Sequence, residues 1–200
     1  MSPTRWLSLS SLMIAASFSS VCAQERWQRL PPAREAQFYA PRNKLEEFES
    51  RQQTVLIKGR TWVGTLRVQN GSVRVEATEI HDASNSRVTG VTVTIVAVDP
   101  DRSANEVRCL IDDVEIDPLI KAFDSVAKAN ETITKLTHFE VHYRTFADFE
   151  IMVFKQTTGG IAAAIEGGFF ERTRLLLTLD ELTKLRWMIA QAKDKLDEIK

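Results

Sequence analysis

The sequence predicts an α+β protein built from antiparallel strands and two helices. Three observations support this fold class: segments rich in β-branched residues that alternate apolar and polar positions, glycine- and asparagine-containing turns between them, and an amphipathic helix after each group of strands. The order ββββα occurs twice, over residues 54–130 and 136–200. We therefore expect a duplicated unit, with either two antiparallel sheets that each carry a helix or one larger sheet that carries both.

Residues 1–23 have the three parts of a cleavable secretory signal. Arg5 precedes an apolar stretch without acidic or basic residues. The residues with small side chains at the minus-three and minus-one positions relative to Gln24 are Val21 and Ala23. Six serines dilute the apolar stretch, which makes it a poor membrane span. We predict cleavage after Ala23, a secreted or periplasmic protein, and no transmembrane segment in the mature chain.

The mature chain has the length of one ordinary domain and a nearly balanced charge. The full chain has 200 residues with 26 basic and 27 acidic side chains, and the signal contributes one arginine and no acid, so the 177 remaining residues carry a net charge of −2. This balance offers no bulk attraction to nucleic acid. Cys22 leaves with the signal, so Cys109 has no partner for an intrachain disulfide, and its strand pattern predicts a buried, inert thiol.

The predicted domain begins with an N-terminal segment, residues 24–53, and continues as a single α+β domain over 54–200. The segment contains Pro31, Pro32 and Pro41, and Asn43–Ser50 could form two helical turns with Leu45 and Phe48 on one side. We expect it to be loosely held or to lie across the domain.

The first half contains four predicted strands and a helix. The clearest signal is a hairpin in which Asn70-Gly71 forms a type I′ turn, so that Val68 faces Val73. Strands over 87–98 and 106–112 follow. Asp117 and Pro118 then predict a helix N-cap and first helical position.

The second half repeats this order. Four strands are predicted over 136–144, 148–155, 161–165 and 172–177. Thr178 and Glu181 form a capping box at the start of a long helix. Glycine pairs flank Ala162, Ala163 and Ala164; they could allow a ligand to approach closely, but we favour hairpin turns and alanines beneath the long helix.

The segment from His138 to Arg144 holds the most suggestive cluster of polar side chains. His138, Glu140, His142 and Arg144 would share one face of a strand. His138, Glu140 and His142 are therefore candidate metal ligands. Because the two histidines of a strand would be about 13 Å apart, a zinc site would need ligands from elsewhere, and His81 and Asp82 are the other candidates. The alternative is a solvated polar face.

A second candidate is the acidic run from Asp112 to Asp117, with Asp99 and Asp101 nearby. Carboxylates are calcium ligands, but the spacing lacks the Asp-x-Asp-x-Asp-Gly order. We therefore expect a helix start whose acids complement the helix dipole.

These observations favour an exported binding or structural domain without a cofactor or catalytic residues. The sequence contains neither a Gly-x-Ser-x-Gly elbow nor a nucleotide-binding glycine loop. Arg67, Arg74 and the row from His138 to Arg144 offer interaction surface, and the expected partner is a protein or an envelope component. The oligomeric state stays open.

Two other functions remain as alternatives. One is a metal-dependent enzyme or metal-binding protein centred on His138, Glu140 and His142. The other rests on the ββββα order, which resembles the single-strand-binding topology of the transcriptional-coactivator and Whirly type. This resemblance implies single-stranded nucleic-acid binding, but export and the net charge of −2 argue against it, because such binding needs basic grooves.

Overall fold

The computed structural model describes residues 40–98, 104–169 and 171–200. The predicted signal, its cleavage site and Pro31-Pro32 lie outside the described residues, as do Asp99 and Asp101. Within the described ranges, no helix has both the length and the apolar composition needed to cross a membrane.

Two four-stranded antiparallel sheets confirm the predicted α+β class. The first sheet has the order β1-β2-β3-β4 and the second the order β5-β6-β7-β8, so each half of the chain forms its own sheet. The strands are β1 (Leu56–Val68), β2 (Gly71–Asp82), β3 (Arg87–Val98), β4 (Ala104–Asp112), β5 (Glu140–Arg144), β6 (Glu150–Lys155), β7 (Ile161–Gly167) and β8 (Thr173–Leu177). The helices are α1 (Lys44–Ser50), α2 (Asp113–Val126) and α3 (Leu179–Asp197).

The hairpin register differs from the predicted one. Val68 pairs with Gly71 and Leu66 with Val73, so the two-residue turn is Gln69-Asn70. Asn70 is not among the described non-glycine residues with positive φ, which rules out a type I′ turn. Gly71 is needed for a different reason: a Cβ there would lie 2.0 Å from the carbonyl oxygen of Val96 on β3.

The helix α2 begins earlier than predicted. Its N-cap is Asp112, which forms a capping box with Glu115, so Asp117 is not the cap and Pro118 lies inside the helix. The Asp-x-x-Glu spacing is itself a start signal. The long helix α3 begins as predicted, with Thr178 and Glu181 in a capping box.

Both long helices contribute to one core between the sheets. The helix α3 follows the second sheet in sequence but packs mainly against β1, β2 and β3, whereas α2 contacts strands of both sheets and packs against α3. Large buried side chains of this core come from both halves: Ile95, Ile111, Phe123, Phe149, Ile151 and Leu182. We call the sheet faces that carry these side chains inner and the opposite faces outer.

The short helix α1 lies across the outer face of the first sheet. Leu45 and Phe48 lie on one side of this helix, as predicted, and both are buried against Ile80, Val88 and Leu110. By its contacts, the chain from Pro41 to Lys200 forms one compact unit.

The two sheets approach each other closely at Gly167 on β7. A Cβ at this position would lie 2.6 Å from Sγ of Cys109 on β4. Cys109 is buried, and burial raises the pKa of its thiol to about 11. This agrees with the predicted inert thiol.

Candidate functional site

The outer face of the second sheet carries most of the candidate site residues. Strand pairing places its side chains in three rows across the sheet. The first row is Glu140, Phe154 and Ala162; the second is His142, Met152, Ala164 and Leu176; the third is Arg144, Glu150, Glu166 and Arg174. The third row is therefore charged, and the second row beside it, which we call the apolar row, is apolar except for His142.

Glu150 is the centre of the charged row. Its side chain is buried and accepts hydrogen bonds from Arg144 Nε (2.9 Å), Arg144 Nη2 (2.6 Å) and Arg172 Nη2 (2.6 Å) through Oε2. Its other oxygen, Oε1, lies 2.8 Å from His142 Nδ1. A carboxylate has only acceptor atoms, so Nδ1 carries the proton in this contact.

Glu166 holds the other side of the row. It is buried as well, and it accepts hydrogen bonds from Arg174 Nε (3.1 Å) and Nη2 (2.7 Å). Arg172 Nε lies 2.7 Å from its Oε1. Arg172 therefore bridges the two glutamates, and we call Arg144, Arg172 and Arg174 the arginine ladder.

The ladder side chains are fixed on one side and open to solvent on the other. Their exposed fractions are 47% for Arg144, 36% for Arg172 and 55% for Arg174. Each guanidinium has five N–H donors in a rigid fork, and the glutamates use only some of them. Arg174, for example, uses Nε and Nη2 for Glu166, and no described residue accepts a hydrogen bond from its Nη1, which can donate to a carboxylate or phosphate group.

The electrostatics of the site favour the charged forms. Burial raises the pKa of Glu150, but hydrogen bonds from Arg172, Arg144 and His142 lower it by more, so it lies below the ordinary value of 4.5. The hydrogen bond to Glu150 raises the pKa of Arg144. By formal charge, the three arginines and two glutamates give this network a net charge of +1.

A second set of ion pairs extends this network toward the N-terminal segment. Arg42 Nη1 donates to Asp148 Oδ2 at 2.6 Å, and Arg42 also pairs with Glu46. Its guanidinium carbon lies 5.3 Å from the ring centroid of Phe169. Arg144 Nη1 lies 3.9 Å from Asp148 Oδ1, so Asp148 links both sets.

A shallow groove runs beside the apolar row. Its volume is about 450 Å³, and His138, Glu140, Met152, Phe154, Lys155 and Arg174 line it. The groove brings two of the predicted metal ligands next to a ladder arginine. Basic, acidic and apolar side chains therefore meet in one open depression.

The predicted metal ligands do not share one strand face. His138 precedes β5, which begins at Glu140 rather than at residue 136. Glu140 and His142 are exposed on β5, and His142 is engaged by Glu150. Over residues 40–98, 104–169 and 171–200, no group of three His, Cys, Asp or Glu side chains is placed to hold a metal ion.

The two further candidates lie on the first sheet. His81 Nε2 is 2.9 Å from Glu79 Oε1. Asp82 Oδ1 accepts hydrogen bonds from the backbone of Ser84 and Ser86, and its Oδ2 pairs with Arg51. Asp82 therefore organises the β2–β3 turn.

The acidic run at the start of α2 serves as a brace. Asp112 accepts hydrogen bonds from the backbone nitrogens of Lys44 (2.8 Å) and Leu45 (2.9 Å), which anchors α1. Glu115 accepts from the backbone nitrogens of Asp112 (3.2 Å) and Phe146 (2.7 Å), which anchors the β5–β6 loop. These buried carboxylates therefore have internal partners, in agreement with the expected helix start.

The alanines of β7 divide between the two faces. Ala163 belongs to the core with Ile165, but Ala162 and Ala164 point to the outer face, so the expectation that all three lie beneath the long helix is wrong for these two. Ala164 is fully buried beside Met152.

Sequence reasoning missed Glu150, Glu166, Arg172 and Arg174. The available signal was the single glutamate in each of the mostly apolar strands β6 and β7. Because strand side chains alternate between the two faces, such a glutamate identifies the face that points away from the core. The ladder itself depends on the cross-strand register, which brings residues up to 30 positions apart into one row.

Comparisons with known proteins do not add a relative. No family model, no curated protein and no solved structure matches this chain.

Proposed function

We propose that this protein is a non-enzymatic binding module that recognises an anionic group of a protein or envelope component through the arginine ladder. One observation carries the proposal: Glu150 and Glu166, both buried, hold three half-exposed guanidiniums in a row on an open sheet face. Arginines held in this way lose less side-chain entropy on binding, because their rotamers are already fixed.

The groove supplies the second part of the binding surface. Met152 and Phe154 give an apolar wall next to Arg174. A carboxylate or phosphate attached to an apolar group matches this combination, because the charge can bind the guanidiniums while the apolar part contacts the wall.

The experiment is an NMR titration with two small anions. Sulfate and citrate are added to ¹⁵N-labelled protein, and chloride at equal ionic strength serves as the reference. We expect the Nε–Hε signals of Arg144, Arg172 and Arg174 to shift with an apparent Kd on the order of millimolar, a range typical of small ligands with few contacts. Arg186, which pairs with Asp124 on α2, is the matched control and should not shift.

Two results would contradict the proposal. One is equal shifts at Arg186 and at the ladder, which would mean unspecific ion binding. The other is retardation of a single-stranded oligothymidylate at low salt by wild-type protein but not by an Arg172→Gln/Arg174→Gln variant, which would assign the ladder to nucleic acid.

A further inference from the structure

The strand β1 has an open edge that none of the described residues covers. It is the terminal strand of the first sheet over its whole length, and no described residue forms a backbone hydrogen bond to its free side. Residues 57–62 are all exposed, and Ile57 and Trp62 are both 64% exposed. A long exposed edge strand is a template for pairing with another strand.

The charged side chains of β1 are all cationic. Between Leu56 and Val68 the cations are Lys58, Arg60 and Arg67, and there is no acidic residue. Lys58 pairs with Glu49 of α1, but Arg60 and Arg67 make no ion pair with any described residue. The outer face beside β1 also carries Arg74, which is likewise without an ion pair among the residues described.

These cations indicate whether a second copy of β1 or an acidic strand is the better pairing partner. In an antiparallel pairing of β1 with a second copy centred at Gly59, Lys58 would face Arg60 of the other chain, and like charges directly opposite each other destabilise a sheet. An acidic strand would instead place carboxylates opposite these cations. The charge pattern therefore disfavours self-pairing and favours an acidic partner.

We propose that the β1 edge at residues 57–62 binds an extended acidic segment of another protein by strand addition. Backbone hydrogen bonds to the free edge give affinity, and acidic side chains on alternate positions face Lys58 and Arg60. On the opposite face, Ile57 offers an apolar contact, and Gly59 and Thr61 leave room for larger partner side chains. This site is separate from the arginine ladder and does not depend on it.

The test uses one defined peptide and two protein variants. The peptide has eight residues of alternating valine and glutamate, with an acetylated N-terminus and an amidated C-terminus; the same peptide with lysine in place of glutamate is its control. Affinity is measured by fluorescence anisotropy at 50 mM NaCl. The variants are Lys58→Glu/Arg60→Glu and, as a control with the same change in net charge, Lys121→Glu/Lys184→Glu on the exposed sides of α2 and α3.

We expect the glutamate peptide to bind the wild type and the Lys121→Glu/Lys184→Glu variant equally. The Lys58→Glu/Arg60→Glu variant should bind about tenfold more weakly, because two attractive pairs become repulsive. Hydrogen exchange followed by mass spectrometry should show slower exchange of the amides of residues 57–62 in the presence of the peptide, since strand addition occupies their free hydrogen-bonding groups.

Three results would overturn the proposal. The first is equal affinity for the lysine peptide. The second is binding without protection of residues 57–62, including protection confined to the second sheet. The third is displacement of the peptide by a 20-nucleotide oligothymidylate at lower concentration than unlabelled peptide, which would indicate a nucleic-acid surface.

Discussion

Replacement of Glu150 by glutamine tests whether the buried carboxylate holds the arginine ladder. Glutamine keeps the size of the side chain and one acceptor oxygen but removes the negative charge. The three hydrogen bonds from Arg144 and Arg172 would then end on a neutral acceptor. Glu150→Gln should therefore destabilise the folded state by weakening contacts rather than by opening a cavity.

The size of the effect follows from these three bonds. Hydrogen bonds to charged groups contribute about 1.5–3 kcal/mol and neutral ones about 0.5–1.5, so the loss is about 1 kcal/mol per bond and about 3 in total. Arg144 and Arg172 are 47% and 36% exposed, so water competes for their donors. We therefore expect a loss of about 1–2 kcal/mol in the free energy of unfolding at pH 7.

The pH dependence gives the effect a signature. The pKa of Glu150 is lower in the folded protein than its ordinary value of 4.5. A group with a depressed folded pKa stabilises fully above its unfolded pKa, and this contribution is lost as the pH falls through the folded pKa. The difference between wild type and Glu150→Gln should therefore be constant above about pH 5.5 and shrink below pH 4.5.

The assay is urea denaturation at several pH values, followed by tryptophan fluorescence. Glu140→Gln is the matched control, because Glu140 is exposed in the same sheet face and makes no ion pair with a described residue; it should change stability by less than about 0.5 kcal/mol. A Glu150→Gln loss that is equally large at pH 3 and pH 7, or absent at pH 7, would refute the reasoning.

Two further predictions concern the packing that positions the sheets. Gly167→Ala should lower the free energy of unfolding by about 1–3 kcal/mol, because the added Cβ meets Sγ of Cys109. In a double-mutant cycle measured by urea denaturation, adding Cys109→Ala should restore part of this loss. Strictly additive losses would contradict the contact. Leu45→Ala should lower the free energy of unfolding by about 2–5 kcal/mol, because α1 docks through this fully buried side chain. Val55→Ala, at an exposed position, is the control and should change the stability little. Equally small effects of both substitutions would show that α1 is not anchored.

Local patterns were sufficient for several elements. The strand β3 has the predicted bounds, Arg87–Val98, because alternation of apolar and polar residues is complete within the segment itself. The start of α3 is also as predicted, since both residues of its capping box lie within four positions. Such signals need no knowledge of the rest of the fold.

The errors arose where distant residues compete with a local signal. Asn70-Gly71 has the composition of a type I′ turn, but Gly71 is required where the backbone of β3 approaches, and the turn moves to Gln69-Asn70. At α2 two start signals follow one another, and Asp112 prevails over Asp117 because its side chain also anchors α1. Neither contact can be read from neighbouring residues.

The candidate site was predicted only in part for the same reason. His142 and Arg144 were placed correctly on one strand face, because strand alternation is local. Their partner Glu150 lies on the next strand, and Arg172 comes from the loop before β8, so the ladder requires the pairing register of four strands.

The packing of the helices leaves the outer face of the second sheet without a helix over it. Both long helices lie on the inner faces, and α3 packs on the sheet of the other half, so neither helix covers the outer face of the second sheet. Solubility of that face requires only exposed polar side chains, yet Glu150 and Glu166 are buried there. Burial of a carboxylate costs free energy that the ion pairs with arginine must offset. We infer that these glutamates fix the positions of Arg144, Arg172 and Arg174, a geometry that a merely solvated face would not need.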